Sequence, residues 1–198
     1  MKSILTILIL ALMDILSINA QIPDKAEDIK PLLIGATLPN MELKDDNGTV
    51  VALHSLLADK PTILIFYRGS WCPFCNMHLS DIASAQEEIL KLGYQIIAIS
   101  PDDYINLKPM IKTDTLNYQL YSDPEGKLIQ QIGLAFKASD KTKEFIATKT
   151  QGKATVILPV PTLMVVNTKG EILFEYINPN VKHRITKKLL LAVLKNLD

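Results

Sequence analysis

The sequence comprises 198 residues, 48% of them hydrophobic and 21% charged. This suits one folded domain with a sizeable core and argues against disorder. Lysine plus arginine and aspartate plus glutamate each total 21, so the formal net charge is zero. That balance gives no basic footprint for nucleic acid and no electrostatic pull toward anionic lipid.

The first twenty residues differ from the rest. Lys2 supplies a short positive start, residues 4–13 are apolar apart from Thr6, and Ser17-Ile18-Asn19-Ala20 ends in a small residue. The apolar run is interrupted by Asp14 and is far short of the roughly twenty residues that span a bilayer. Residues 1–20 therefore read as a signal peptide cleaved after Ala20, with an uncleaved anchor as the alternative, and the protein as exported to a periplasm-like compartment.

Residues 21–38 are polar with Pro23 and Pro31, and read as an extended lead-in to a domain over residues 39–198. Residues 41–43 and 49–53 flank Asp45-Asp46-Asn47-Gly48, the turn chemistry of a β-hairpin. Residues 54–58 make one helical turn. Residues 62–67 form a short apolar run rich in β-branched and aromatic side chains, as expected of a strand buried on both faces. A helix over 75–92 follows, with Leu79, Ile82, Ala83, Ile89 and Leu90 on one face and Gly93 as the stop. Residues 95–100 form a second buried strand, and Pro101-Asp102-Asp103 opens a helix to about residue 113. Residues 118–121 are a short strand, and Ser122-Asp123-Pro124-Glu125 cap and start a helix ending near Gly133. The polar stretch 137–153 reads as a surface loop. Residues 162–166 and 171–177 pair around Asn167-Thr168-Lys169-Gly170, and 185–197 close the chain as an amphipathic helix. The order implies an α/β fold: a mixed central sheet flanked by helices, with an N-terminal β-hairpin extension.

The chemistry concentrates on Trp71-Cys72-Pro73-Phe74-Cys75, which leaves a buried strand and opens a helix. A bridge across two intervening residues restrains little of the unfolded chain, so a structural staple is a poor use of the only cysteine pair. At a helix N-terminus, free amides and the helix dipole favour an anion, and the thiolate is the reactive form. At i and i+3 the two sulfurs can bridge directly, one attacking and the other resolving. Pro73 fits the first helical turn, where its missing N–H is not needed.

Metal binding would need more ligands. His78, His54 or His183 would have to join the pair, and a copper carrier using Cys72, Cys75 and His183 is the alternative from another class. Covalent haem attachment needs His directly after the second cysteine, and residue 76 is Asn, so no cofactor is implied. His78 reads as a partly exposed helix residue able to tune Cys75. Pro161 cannot donate to a sheet ladder and belongs at a strand start. A cis Val160-Pro161 bond beside the cysteines would hold an extended substrate backbone against them. Trp71, Pro73, Val160 and Pro161 are therefore the candidate substrate-positioning residues around Cys72 and Cys75.

Residues 66–75, Phe-Tyr-Arg-Gly-Ser-Trp-Cys-Pro-Phe-Cys, carry an Arg-Gly-x-Trp-Cys-Pro-aromatic-Cys pattern. Ala98-Ile99-Ser100-Pro101, Ser122-Asp123-Pro124 with Gln131-Ile132-Gly133-Leu134, and Leu158-Pro159-Val160-Pro161 with Asn178-Pro179-Asn180 follow in order. Together they resemble the peroxiredoxin-like subfamily of the alkyl hydroperoxide reductase/thiol-specific antioxidant family. The resemblance implies a thioredoxin-like fold with Pro161 as the cis proline, and a thiol-dependent enzyme reducing hydroperoxides. For an exported protein cytosolic thioredoxin cannot be the direct donor, so electrons are expected through a thioredoxin-like or membrane thiol relay. By the family's Pro-x-x-x-Thr-x-x-Cys spacing, Cys75 holds the peroxide-reactive position, Cys72 replaces Thr and Arg68 replaces Pro, with no distant Arg evident before Pro161. By thioredoxin logic Cys72 attacks and Cys75 resolves, and the substrate is a protein disulfide. The sequence leaves the choice open.

Overall fold

A computed structural model describes residues 21–150 and 155–197. The signal segment expected over residues 1–20 lies outside them.

Nine strands and seven α-helices are described. The strands are β1 (Glu42–Lys44), β2 (Val50–Ala52), β3 (Thr62–Phe66), β4 (Gln95–Ser100), β5 (Gln119–Ser122), β6 (Ala135–Lys137), β7 (Ile157–Pro159), β8 (Thr162–Val166) and β9 (Ile172–Ile177). The helices are α1 (Leu53–Leu57), α2 (Pro73–Ala83), α3 (Gln86–Lys91), α4 (Leu107–Thr113), α5 (Lys127–Gln131), α6 (Asp140–Thr150) and α7 (Lys187–Leu194). Seven strands form one mixed sheet in the order β2-β1-β5-β4-β3-β8-β9, and β6 pairs with β7 apart from it.

β3 is central because all five of its residues are buried. It pairs parallel with β4 and antiparallel with β8. The period of two along each strand divides the core. Ile63, Ile65, Ile96, Ala98, Leu163 and Val165 face one side, against Leu79 and Ile82 of α2, Ile89 of α3 and Leu190 of α7. Leu64, Phe66, Ile97, Ile99, Met164 and Val166 face the other, against α1 and α5. Covering both faces is what a continuous apolar strand requires. The result is the mixed α/β sandwich expected from the sequence.

Residues 21–38 run along the second face. Leu32 N–H donates to the Ile132 carbonyl, Leu38 N–H to that of Gly170, and Thr37 bridges Glu171. A short 3-10 turn, Ala26–Asp28, interrupts the otherwise extended path.

Three expected elements need correction. The helix expected over 75–92 starts at Pro73 and breaks into α2 and α3 at residues 84–85, and Leu90 is exposed rather than on the buried face. The helix expected to start at Ser122 begins at Lys127, because Gly126 adopts a left-handed φ of 64° just before it. Asp123 instead caps from a distance, accepting from Ile129 N–H. The loop expected over 137–153 contains α6, whose Ile146 is buried and whose Phe145 packs on Trp71. A mostly polar helix with a single buried residue leaves almost no periodic signal.

Candidate redox site

The site forms where β3 ends and α2 begins. Tyr67 N–H donates to the Ile99 carbonyl and keeps the chain on the sheet. Gly69 then turns it with φ of 146°, where a Cβ would collide with the Trp71 indole and crowd the Asp102 carboxylate. Ser70 N–H donates to Asp102 Oδ2 at 2.6 Å, and Asn76 Nδ2 donates to the Ser70 carbonyl at 3.0 Å. These two bonds tie the turn to the end of β4 on one side and to α2 on the other.

Cys72 is the helix N-cap, and Pro73 stands at the first helical position, as its lost N–H allows. The Cys72 carbonyl accepts from Cys75 N–H and Asn76 N–H, which closes the first turn of α2. The i, i+3 relation brings the sulfurs to 2.7 Å as free thiols, with Cys75 Sγ donating to Cys72 Sγ. Both cysteines are buried.

The two sulfurs are electrostatically unequal. Cys72 is brought down from 9.0 to about 6, chiefly by the hydrogen bond from Cys75. Burial opposes this, while the Arg68 charge and hydrogen bond add to it. Arg68 Nη2 donates to Cys72 Sγ at 3.0 Å. Cys75 is pushed well above the ordinary thiol value, first by burial and then by the hydrogen bond and charge of Cys72. At neutral pH the pair is a Cys72 thiolate beside a Cys75 thiol.

Trp71 is half-buried. Its ring meets Phe145 edge-on at 6.1 Å, and the Arg68 guanidinium lies 5.2 Å from its centroid. Pro73, Phe74 and Met77 are exposed beside the pair.

Pro161 lies at the same end of the sheet, since Phe66 pairs with Thr162 in the β3–β8 register. The cis Val160-Pro161 bond expected from the resemblance is not found: the described peptide bonds are all trans. Val160 N–H donates to the Leu134 carbonyl, and the Val160 carbonyl accepts from the Thr162 hydroxyl at 2.9 Å. Both backbone groups that would meet a substrate strand are therefore used internally.

His78 is buried, not partly exposed, and is held neutral down to about pH 4 by burial and by the nearby Arg184 charge. His183 is exposed, and His54 bonds the Leu38 carbonyl. Among the described residues no three His, Cys, Asp or Glu side chains cluster as a metal site, so the copper reading finds no further ligand.

One site residue lies in no motif or periodic pattern of the sequence. Arg184, on the segment between β9 and α7, places Nη2 at 3.9 Å from Cys75 Sγ. Arg68 and Arg184 are the only two arginines in the chain, the other basic residues being lysines. That rarity was the available clue.

A mixed sheet with a Cys-x-x-Cys turn at a strand-to-helix junction defines a thioredoxin-like thiol protein. Its residues 34–174 match the model of the AhpC/TSA family, and the chain belongs to that family. A 1-Cys peroxiredoxin of Medicago truncatula is 31% identical over 110 residues, covering 52% of this chain and 50% of that one. The chain thus spans about half the length of the first curated relatives it matches. Among solved structures, peroxidoxin BcpB from Mycobacterium tuberculosis superposes with a TM-score of 0.66 at 22% identity, covering 83% of this chain and 97% of that one. Reduced Prx3 of Vibrio vulnificus, in complex with hydrogen peroxide, gives 0.71 at 16% identity, covering 82% and 99%. At these identities the structures support the fold alone.

Proposed function

We propose that the protein is a thiol-dependent peroxidase in which Cys72 attacks and Cys75 resolves. The observation that carries this reading is the unequal pair, with Arg68 and the Cys75 thiol both donating to Cys72 Sγ. The Cys72 thiolate attacks the distal oxygen of a hydroperoxide. The O–O bond breaks, the leaving alkoxide takes a proton and departs as alcohol or water, and Cys72 becomes a sulfenic acid. Cys75 displaces its hydroxyl, giving a Cys72–Cys75 disulfide and water. An external dithiol, or two external thiols, then supplies two electrons, restores the pair and is itself oxidised to a disulfide.

The relatives' names support the peroxide as substrate, while this role for Cys72 departs from the family spacing, which favours Cys75. Export of the chain, with a mature start at Gln21, remains part of the proposal on the pattern of residues 1–20. A protein-disulfide substrate is the second reading, favoured by Phe74 and Met77 standing exposed beside the pair.

The test is peroxide consumption by the reduced protein against reduction of a mixed-disulfide peptide. The proposal expects Cys72→Ser to abolish peroxide turnover and Cys75→Ser to stop after one sulfenic acid. Loss of the first oxidation in Cys75→Ser alone would return the attacking role to Cys75. Brisk disulfide exchange with peroxide barely consumed would favour the second reading.

A further inference from the structure

Neither arginine is spent on ordinary surface pairing. The ion pairs among the described residues all use lysine, and each arginine places Nη2 on a different sulfur of the cysteine pair. Arg68 reaches Cys72 from the same turn. Arg184 reaches Cys75 across 109 positions of sequence and lies beyond the family-matched residues 34–174.

The segment that brings Arg184 there is anchored on both sides. Before it, Asn180 N–H donates to Asn178 Oδ1, Lys182 N–H to Asn180 Oδ1, and His183 N–H to the Asn180 carbonyl. After it, Ile185 is buried and Thr186 caps α7 by accepting from Leu189 N–H. Lys187 then fastens α7 to α2 through Asp81 and to the residue that ends α2, Ser84. A half-buried guanidinium held this way is placed by the fold.

We propose that Arg184, joining Arg68, is the side-chain cation set on Cys75 that draws it into its thiolate form once Cys72 has been oxidised, and so raises the rate of the resolving step. The inference rests on Cys72 attacking and Cys75 resolving. While Cys72 is a thiolate, its charge and its acceptor sulfur keep the proton on Cys75. Oxidation of Cys72 removes both. What then faces Cys75 is its own burial, the Tyr67 hydroxyl, the backbone N–H and charge of Arg68, and the Arg184 Nη2 at 3.9 Å, with His78 neutral nearby. In the step itself, the Cys75 thiolate forms the S–S bond to Cys72. The bond from Cys72 sulfur to hydroxyl, or to an external sulfur, breaks. Hydroxide takes the released proton as water, or the external thiolate departs. On reduction the same cation receives Cys75 as a leaving thiolate.

The experiment uses a neutral dipyridyl disulfide, which releases one chromophoric thione when Cys72 attacks and a second when Cys75 resolves. In Arg184→Gln the second release is expected to slow about ten-fold at pH 7 and recover as pH rises, as for loss of about one unit of thiolate stabilisation. The first release should stay within about two-fold, since Arg68 serves Cys72. Arg184→Lys, which keeps the charge, should restore most of the second release and guard against a folding defect. With peroxide in place of the disulfide, Arg184→Gln should accumulate a trappable Cys72 sulfenic acid. An unchanged second release, equal slowing of both releases, or no recovery with lysine would each overturn the assignment. If peroxide does not react but the two releases behave as stated, the peroxidase reading falls and the role of Arg184 stands.

Discussion

Arg68 and Cys72 stand four residues apart across the turn from β3 to α2, with the guanidinium Nη2 at 3.0 Å from the sulfur. The same guanidinium lies over the Trp71 ring. A cation held between an indole and a sulfur keeps its place better than one free in solvent. That placement adds to the Cys75 hydrogen bond, the larger cause, in making the first sulfur the charged one.

The thiolate should be visible by alkylation. Iodoacetamide is expected to modify Cys72 first, with a midpoint near pH 6, while Cys75 keeps its proton as long as Cys72 remains a thiolate. Mass spectrometry of the alkylated peptide separates the two. A single midpoint near 9 for both would remove the assigned asymmetry.

Replacing Arg68 by Gln takes away both a charge and a hydrogen bond, and should raise the Cys72 midpoint by about one unit. Lysine should restore only part of the shift, because it lacks the planar fork that meets sulfur and indole together. The same titration reads both variants.

Asp102 acts on the turn through Ser70. In Asp102→Ala the Ser70 N–H loses its acceptor in a half-buried site, at a cost of about 1–3 kcal/mol, measurable by urea denaturation. Asp102→Asn keeps an acceptor oxygen and should lose less. Cys72 reactivity above its midpoint should fall in the same order, since the turn positions the sulfur.

His78 gives the fold an acid sensitivity of predictable sign. Its folded value is lowered to about 4 from 6.5 by burial first and the Arg184 charge second. The unfolded chain therefore binds the extra proton, so this stability is present above pH 6.5 and lost as pH falls through 4, up to about 3 kcal/mol. Asp123, raised to about 6 by burial, works in the opposite direction over pH 6 to 4. His78→Asn should flatten the acid limb of stability against pH, and an unchanged limb would reject the assignment.

The central strands were legible because burial on both faces writes itself as an unbroken apolar run, as in Thr62–Phe66, whereas the three-residue strands β6 and β7 were not. Cys72, Pro73 and Cys75 were legible because a helix start is local chemistry. The break at Ser84 and Ala85 was not, since either residue is compatible with a continuing helix. α6 was hidden because Phe145 and Ile146 anchor it to distant Trp71 and Leu158, without repeating along the helix. The cis bond at Pro161 came from the resemblance, and in this chain Leu134 and Thr162 occupy the Val160 backbone groups instead. Arg184 was out of reach because a contact across 109 positions leaves no pattern near either residue.

The two guanidiniums have a consequence once the sulfurs join. In the reduced pair a thiolate offsets one of the two positive charges, and in the disulfide it offsets neither. The formal charge of the whole chain is zero with both thiols neutral. Oxidation then moves the molecule from one net negative charge to none, and concentrates the change at one patch. The protein announces its redox state as a local gain of positive charge. A reductant with an acidic face would be drawn to the molecules that need it and released by those it has already served.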